Sequence, residues 1–132
     1  MSFKDEVNDA IVHVVSLRQL IQLSRPRRPG EKFDEVKEKK KTETIADSKK
    51  KIEDLPAEKV ENVITLAMQS TPIEIDDIVH KLERLEFLLE DMNKGKDKRS
   101  NLSFLIESLR VNTIVYSALT SINSLEKIVS GK

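Results

Sequence analysis

Residues 71–93 read TPIEIDDIVHKLERLEFLLEDMN and carry the strongest structural signal in the chain. Thr71 is followed by Pro72 and, three residues after the threonine, by Glu74, which is the pattern of a capping box with proline at the first helical position. Apolar residues then recur at steps of four and three, namely Ile78, Leu82, Leu85, Leu89 and Met92. Such spacing places them on one side of a helix as a heptad seam. The stretch predicts a long amphipathic helix over residues 72–93.

Helical periodicity continues on both sides of this stretch. Residues 56–70 predict one helix, and residues 3–24 predict another with Ser2 as its N-cap. Apolar residues lie on most faces of the helix over 3–24, so we expect it to be nearly enclosed by the rest of the protein. Residues 101–129 predict a helix whose apolar stripe drifts around the axis, so that it touches different neighbours along its length or bends near Asn112. We therefore expect an all-α fold, a small bundle of about four helices without a sheet.

A charged segment, residues 25–53, interrupts the pattern. Between Arg25 and Lys51 eleven Lys or Arg stand against six Asp or Glu, a net charge of +5, and apolar residues are sparse. A segment with so small an apolar face gains little from packing, so we expect disorder or a mobile helix. The chain then divides into an N-terminal apolar helix (1–24), a basic linker (25–53) and a three-helix core (54–132).

The composition narrows the class of protein. The 132 residues suggest one domain, and 23 basic against 23 acidic residues give a formal net charge of +0. The absence of cysteine excludes disulfides and thiolate metal sites. Acidic residues stand near the start, where a signal peptide is basic, and no apolar run reaches the ~18 residues of a membrane span, so we expect a cytoplasmic protein that is not bound to a membrane. Abundant Lys, Glu, Ile and Val give a thermophile-like composition.

Two histidines are the only candidates for catalytic or metal chemistry. His13 follows Asp9 by four residues, and His80 follows Asp77 by three and Asp76 by four. The Asp77–His80 spacing occurs in di-metal helix bundles, but such a site needs a second pair, and the chain has none. The three glycines are too far apart for a phosphate loop. We expect no enzyme activity, no metal, no cofactor and no small-molecule substrate, and a helical-bundle enzyme around Asp77 and His80 is the least favoured hypothesis.

Basic side chains form two candidate contact regions for nucleic acid, one in the charged linker and one at residues 94–99. Interleaved acids weaken both regions, and only Phe33 supplies an aromatic ring, so we expect contacts to the phosphate backbone alone. The candidate contacts are Arg25, Arg27, Arg28, Lys39, Lys40, Lys41, Lys96, Lys98 and Arg99. Residues 73–92 carry a net charge of −5, so docking of the basic linker on this acidic helix, within one chain or between two, is an equally natural alternative.

Apolar positions outside the predicted seam are candidate contacts with partner proteins. They are Val12, Val15, Val111, Val115 and Ile122. In general shape, a cysteine-free helical bundle with a basic arm is similar to the small helical subunits of CRISPR effector complexes and to the helical coat proteins of archaeal filamentous viruses, although no motif carries either resemblance.

The favoured hypothesis is a non-catalytic assembly subunit of a nucleoprotein complex, which packs on partner proteins and contacts nucleic-acid backbone. One alternative is a purely protein-binding adaptor or a helical homodimer that associates through the seam between Ile78 and Met92. Another alternative is a viral helical coat protein.

Overall fold

The computed structural model describes residues 2–131, and within that range it contains seven α-helices and no strand. The prediction of an all-α fold is therefore confirmed, whereas the predicted number of about four helices is wrong. The helices are α1 (Phe3–Ser24), α2 (Glu35–Lys51), α3 (Ala57–Gln69), α4 (Pro72–Asn93), α5 (Arg99–Ser108), α6 (Thr113–Thr120) and α7 (Asn123–Ser130), with a 3₁₀ turn at Leu109–Val111. Within the described range no helix is both long enough and apolar enough to cross a membrane.

The first helix lies at the centre of the bundle. Helix α1 packs against α2, α3, α4 and α7, and its buried side chains include Val7, Val14 and Leu20. A capping box starts it, because the Ser2 hydroxyl accepts the Asp5 amide at 3.2 Å and the Asp5 carboxylate accepts the Ser2 amide at 3.4 Å. This enclosure explains why the helix is apolar on most sides.

Helix α4 forms as predicted and is the main neighbour of α1. The Thr71 hydroxyl accepts the Glu74 amide at 3.2 Å, and the Glu74 carboxylate accepts the Thr71 amide at 3.0 Å. All five seam residues are buried within this chain. At the edge of the contact, the guanidinium of Arg18 donates to both carboxylate oxygens of Glu86, at 2.6 and 3.2 Å. The seam is thus covered by the rest of the same chain.

The single helix predicted over residues 101–129 is instead three helices and a 3₁₀ turn. Asn112 has an extended backbone, and its side-chain oxygen accepts the Val115 amide at 3.1 Å, so it ends one helical segment and caps α6. Ile122 is also extended, and α7 begins directly after it. The two breaks reorient the chain, so that α6 buries Val115 and α7 buries Leu125. These two apolar positions, which would drift around one straight helix, are thus both directed to the core.

Most of the charged linker is helical. Asp34 caps α2, since its carboxylate accepts the Val36 amide at 3.0 Å. The C-terminal end of α2 is attached to α1, because Ser48 is buried and donates to the Gln19 side chain at 3.1 Å, and Ile52 is fully buried just beyond. The residues of α2 before Lys41 are exposed except for Glu38, which is half-buried. The mobility expected for this segment stays a prediction.

Candidate nucleic-acid interface

The loop between α1 and α2, residues 25–34, is organised by one carboxylate. Glu31 accepts the Arg28 amide at 3.0 Å and the guanidinium of Arg25 at 3.3 Å. These hydrogen bonds, the one from the Arg28 amide first, lower the pKa of Glu31 below its ordinary value. Gly30 has φ of 84°, a left-handed conformation that residues with a side chain rarely adopt. The loop therefore has a defined path that brings its basic side chains back over the end of α1.

A surface depression lies where this loop meets α2 and α3, and we call it the basic pocket. It has a volume of about 300 Å³. Its lining consists of Ser24, Arg25, Pro26, Arg27, Phe33, Glu38, Lys41 and Met68. Three cations stand against Glu38 in the lining and against Glu31, which pairs with Arg25 from outside it, so a positive excess remains and favours an anionic ligand.

Two apolar side chains are exposed in the basic pocket. The ring of Phe33 is 63% exposed, and Met68 is 61% exposed. The guanidinium of Arg27 lies over the Phe33 ring, 5.0 Å from its centroid, within the range of a cation–π interaction. A cation and an aromatic face are therefore presented together at the surface.

The structure brings only some of the predicted basic residues together. Arg25, Arg27 and Lys41 line the basic pocket, whereas Arg28 forms an ion pair with Asp76 of α4 at 3.1 Å. The Arg28–Asp76 pair joins the basic loop to the acidic helix. The predicted residues that lie on α2 outside the pocket lining are Lys39 and Lys40.

The second predicted basic region lies in the loop between α4 and α5. Lys96 is 3.9 Å from the Asp91 carboxylate, and the Arg99 guanidinium donates to the Ile128 carbonyl at 3.0 Å near the end of α7. Lys98 is half-buried directly before α5. Arg99 therefore has a structural contact, and none of the three residues lines the basic pocket.

The predicted partner contacts also divide into two groups. Val111 is 90% exposed in the 3₁₀ turn, Val12 is 43% exposed on α1, and Val15 is half-buried. Val115 and Ile122 are buried in the core of this chain, because the breaks beside them turn their side chains inward. A partner that binds the folded chain can contact Val12, Val15 and Val111. It cannot reach Val115 and Ile122.

Neither histidine belongs to a metal site in residues 2–131, where no group of three or more His, Asp or Glu side chains is placed to hold an ion. His80 is exposed, and the neighbouring Asp77 pairs with Lys81 at 3.1 Å. His13 is buried, with the Asp9 carbonyl 2.7 Å from Nδ1 and the Asp54 carboxylate 3.0 Å from Nε2. The contacts of His13 are structural, since they join α1 to the turn that follows α2.

Reasoning from the sequence missed Met68 as a site residue, because its spacing assigns it to the apolar face of α3. Its position became clear only with the packing of α3 beside the loop. A second concavity, an apolar cleft of about 260 Å³ between α5, α6 and α7, was also not predicted. Comparison of the chain with protein-family models, with curated proteins and with solved structures finds no match.

Proposed function

We propose that the protein is a non-catalytic helical subunit of a nucleoprotein assembly and that it contacts nucleic-acid backbone through the basic pocket. The observation that carries the proposal is the convergence of Arg25, Arg27 and Lys41 on one depression. Residues 25–27 and residue 41 are distant in sequence, and their charges meet only because α2 turns back along α1. Clustered Lys and Arg side chains bind phosphate groups electrostatically.

The lining of the basic pocket supports binding more than catalysis. Ser24 carries the only hydroxyl in the lining, and its Oγ is buried without a hydrogen-bond partner among the described residues. A serine nucleophile is activated by an adjacent base, which Ser24 does not contact. Glu38 is the only carboxylate in the lining, so the pocket holds no pair of carboxylates for general acid–base catalysis.

Exposed apolar side chains on the C-terminal helices support a contact with partner proteins. Phe104 of α5 is 79% exposed, and Val111 in the following turn is also exposed. Both lie on elements that do not line the basic pocket, so one subunit has room for nucleic acid and a partner protein together. The lack of cysteine suits the reducing cytoplasm, where we place this function.

A purely protein-binding adaptor is the second candidate, and two observations favour it. Arg25 and Arg28 already have carboxylate partners, which reduces the positive charge available to phosphates. The apolar cleft between α5, α6 and α7 is lined by Ile106, Leu119 and Leu125 and suits an apolar side chain of a partner. Such an adaptor does not use the α4 seam, which is buried in this chain.

Binding of labelled nucleic acid, measured by fluorescence anisotropy at about 50 and about 200 mM salt, tests the proposal. The pocket variant combines Arg25→Gln, Arg27→Gln and Lys41→Gln. We expect it to bind more weakly than wild type and to reduce the slope of log affinity against log salt by about 0.7–0.9 for each phosphate contact removed. Circular dichroism should show unchanged helix content, because Arg27 is exposed and Arg25 and Lys41 are only half-buried, so none of the three belongs to the buried core.

The matched control removes three charges from the α4–α5 loop, by Lys94→Gln, Lys96→Gln and Lys98→Gln. We expect the control to keep the affinity and the salt slope of the wild type. Equal losses in both variants would show that binding follows net charge and not the basic pocket. If the wild-type protein binds no nucleic acid at about 50 mM salt, where backbone contacts are least screened, the adaptor takes the place of this proposal.

A further inference from the structure

Phe33 has a position that local folding does not explain. It directly precedes Asp34, the N-cap of α2, and an apolar residue at this position commonly packs on the fourth residue of the helix. In α2 that residue is Glu38, which offers no apolar staple. The ring stays 63% exposed although burial of an aromatic side chain is strongly favourable.

The surroundings of the ring are those of a stacking surface. Arg27 occupies one face at 5.0 Å, and the exposed fraction of the ring shows that much of it remains open to solvent. Arg25 and Lys41 line the same basic pocket. The Asp34 cap on one side and the hydrogen bonds of Glu31 on the other fix the chain around Phe33, so the ring is held where the cations are.

We propose that Phe33, with Arg27 on its face, stacks an unpaired base while Arg25 and Lys41 contact the adjoining phosphates, so that the pocket takes single-stranded nucleic acid in preference to duplex. This inference rests on the proposed function and names its substrate class. Base–aromatic stacking requires an accessible base face, and in a duplex both faces are covered by neighbouring bases. Sequence reasoning, which expected backbone contacts alone, did not predict it.

The size of the basic pocket agrees with this role. Its volume of about 300 Å³ lies at the lower end of the range for small-molecule sites, which is about 300–1,000 Å³, and suits a single nucleotide. Glu38 repels phosphate, but its carboxylate accepts hydrogen bonds from N–H groups of bases, including the ring N–H of thymine. When the base is directed towards Glu38, it lies beside this hydrogen-bond acceptor. The phosphate then lies beside the cations Arg25 and Lys41.

Substitutions of Phe33 separate stacking from charge. We compare a labelled 15-nucleotide oligothymidine with a 15-base-pair duplex by anisotropy at about 50 mM salt. Phe33→Leu keeps an apolar side chain and removes the ring, and we expect it to weaken binding of the single strand roughly 5- to 150-fold while the duplex changes less than about twofold. Phe33→Tyr should restore the single-strand affinity.

A fluorescence measurement adds a direct readout, because the chain contains no tryptophan. Phe33→Trp introduces a single indole in the basic pocket, and we expect oligothymidine to quench its emission by stacking. Phe104→Trp places the indole on α5, outside the pocket lining, and should show no quenching at the same occupancy.

The outcomes distinguish this inference from the proposed function. If the pocket variant loses nucleic-acid binding while Phe33→Leu binds the single strand as wild type does, stacking is refuted and the backbone contact stands. Equal losses of single strand and duplex in Phe33→Leu also refute a stacking preference. If wild-type protein binds neither probe, both proposals fail together.

Discussion

His13 provides a prediction about stability, because both nitrogens of its buried ring face hydrogen-bond acceptors. The Asp9 carbonyl is 2.7 Å from Nδ1, and the two carboxylate oxygens of Asp54 are each 3.0 Å from Nε2. A neutral imidazole carries one N–H and can donate only once, whereas the imidazolium donates from both nitrogens. The folded protein therefore favours the charged form of His13.

The pKa of His13 is raised above its ordinary value of 6.5. Burial opposes the charge and lowers the pKa, but the hydrogen bonds to the Asp9 carbonyl and the Asp54 carboxylate, with the attraction of both carboxylates, outweigh burial. A group whose pKa is higher in the folded state adds stability that is fully present below its unfolded pKa and disappears as pH rises through its folded pKa. We expect the free energy of unfolding to fall as His13 loses its proton.

The substitution Asp54→Asn keeps a side-chain oxygen near Nε2 and removes the negative charge. Hydrogen bonds to charged groups contribute about 1.5–3 kcal/mol, and the Asp54 side chain is 66% exposed, so solvent screening reduces the expected loss to about 1 kcal/mol. We expect this loss at about pH 6 and a smaller one at about pH 8, where less of the imidazolium remains. For a domain of this size it corresponds to a fall in melting temperature of about 3–6 °C.

Urea denaturation followed by circular dichroism at the two pH values measures this difference. His80→Gln is the control, because the His80 side chain is exposed and makes no hydrogen bond or ion pair among residues 2–131, so the substitution should change the free energy of unfolding by less than about 0.5 kcal/mol. An equal loss in Asp54→Asn at both pH values would refute the reasoning, because it would show that Asp54 does not act through the protonated ring of His13.

Two further predictions concern the core and the caps. Thr71→Ala should lower the free energy of unfolding by about 0.5–2 kcal/mol, because it removes the acceptor for the Glu74 amide, and an unchanged denaturation midpoint would contradict this role. Leu82→Ala should lower the same quantity by about 2–5 kcal/mol, since Leu82 is fully buried, whereas Val111→Ala should change it by less than about 0.5 kcal/mol. Similar losses in the two apolar variants would contradict the observed burial.

The helices that were predicted correctly are those whose signals are local. Thr71, Pro72 and Glu74 lie within four residues of one another, and hydrogen bonds between such neighbours set the start of α4 without contacts from distant parts of the chain. Ser2 acts in the same way for α1. The apolar positions that follow each cap keep one period throughout the helix, so the buried side was also predictable.

The C-terminal helices were not predicted because their boundaries depend on packing. Asn112 carries a weak local signal, since asparagine favours caps, and the sequence offered a bend there as an alternative. Ile122 carries no such signal, and its extended backbone lets Leu119 and Leu125 on either side of it both reach the core. At a position without a local signal for helix or strand, packing decides the backbone conformation. The chain there adopts the conformation that buries the most apolar surface.

The charge of the basic pocket also depends on packing, which the sequence alone does not show. The small number of cations that line it is the reason that we favour an assembly. The sequence gives a net charge of +5 between Arg25 and Lys51, but folding pairs Arg28 with Asp76 and directs part of Arg25 to Glu31. Three cations line the pocket, including the partly paired Arg25, so on the proposed function the slope of log affinity against log salt is no steeper than about −2 to −3. If the pocket binds nucleic acid as proposed, so few phosphate contacts would give weak binding to one subunit, whereas copies bound side by side on one strand would gain affinity through their combined contacts. This is why we propose an assembly subunit and not a protein that binds nucleic acid alone.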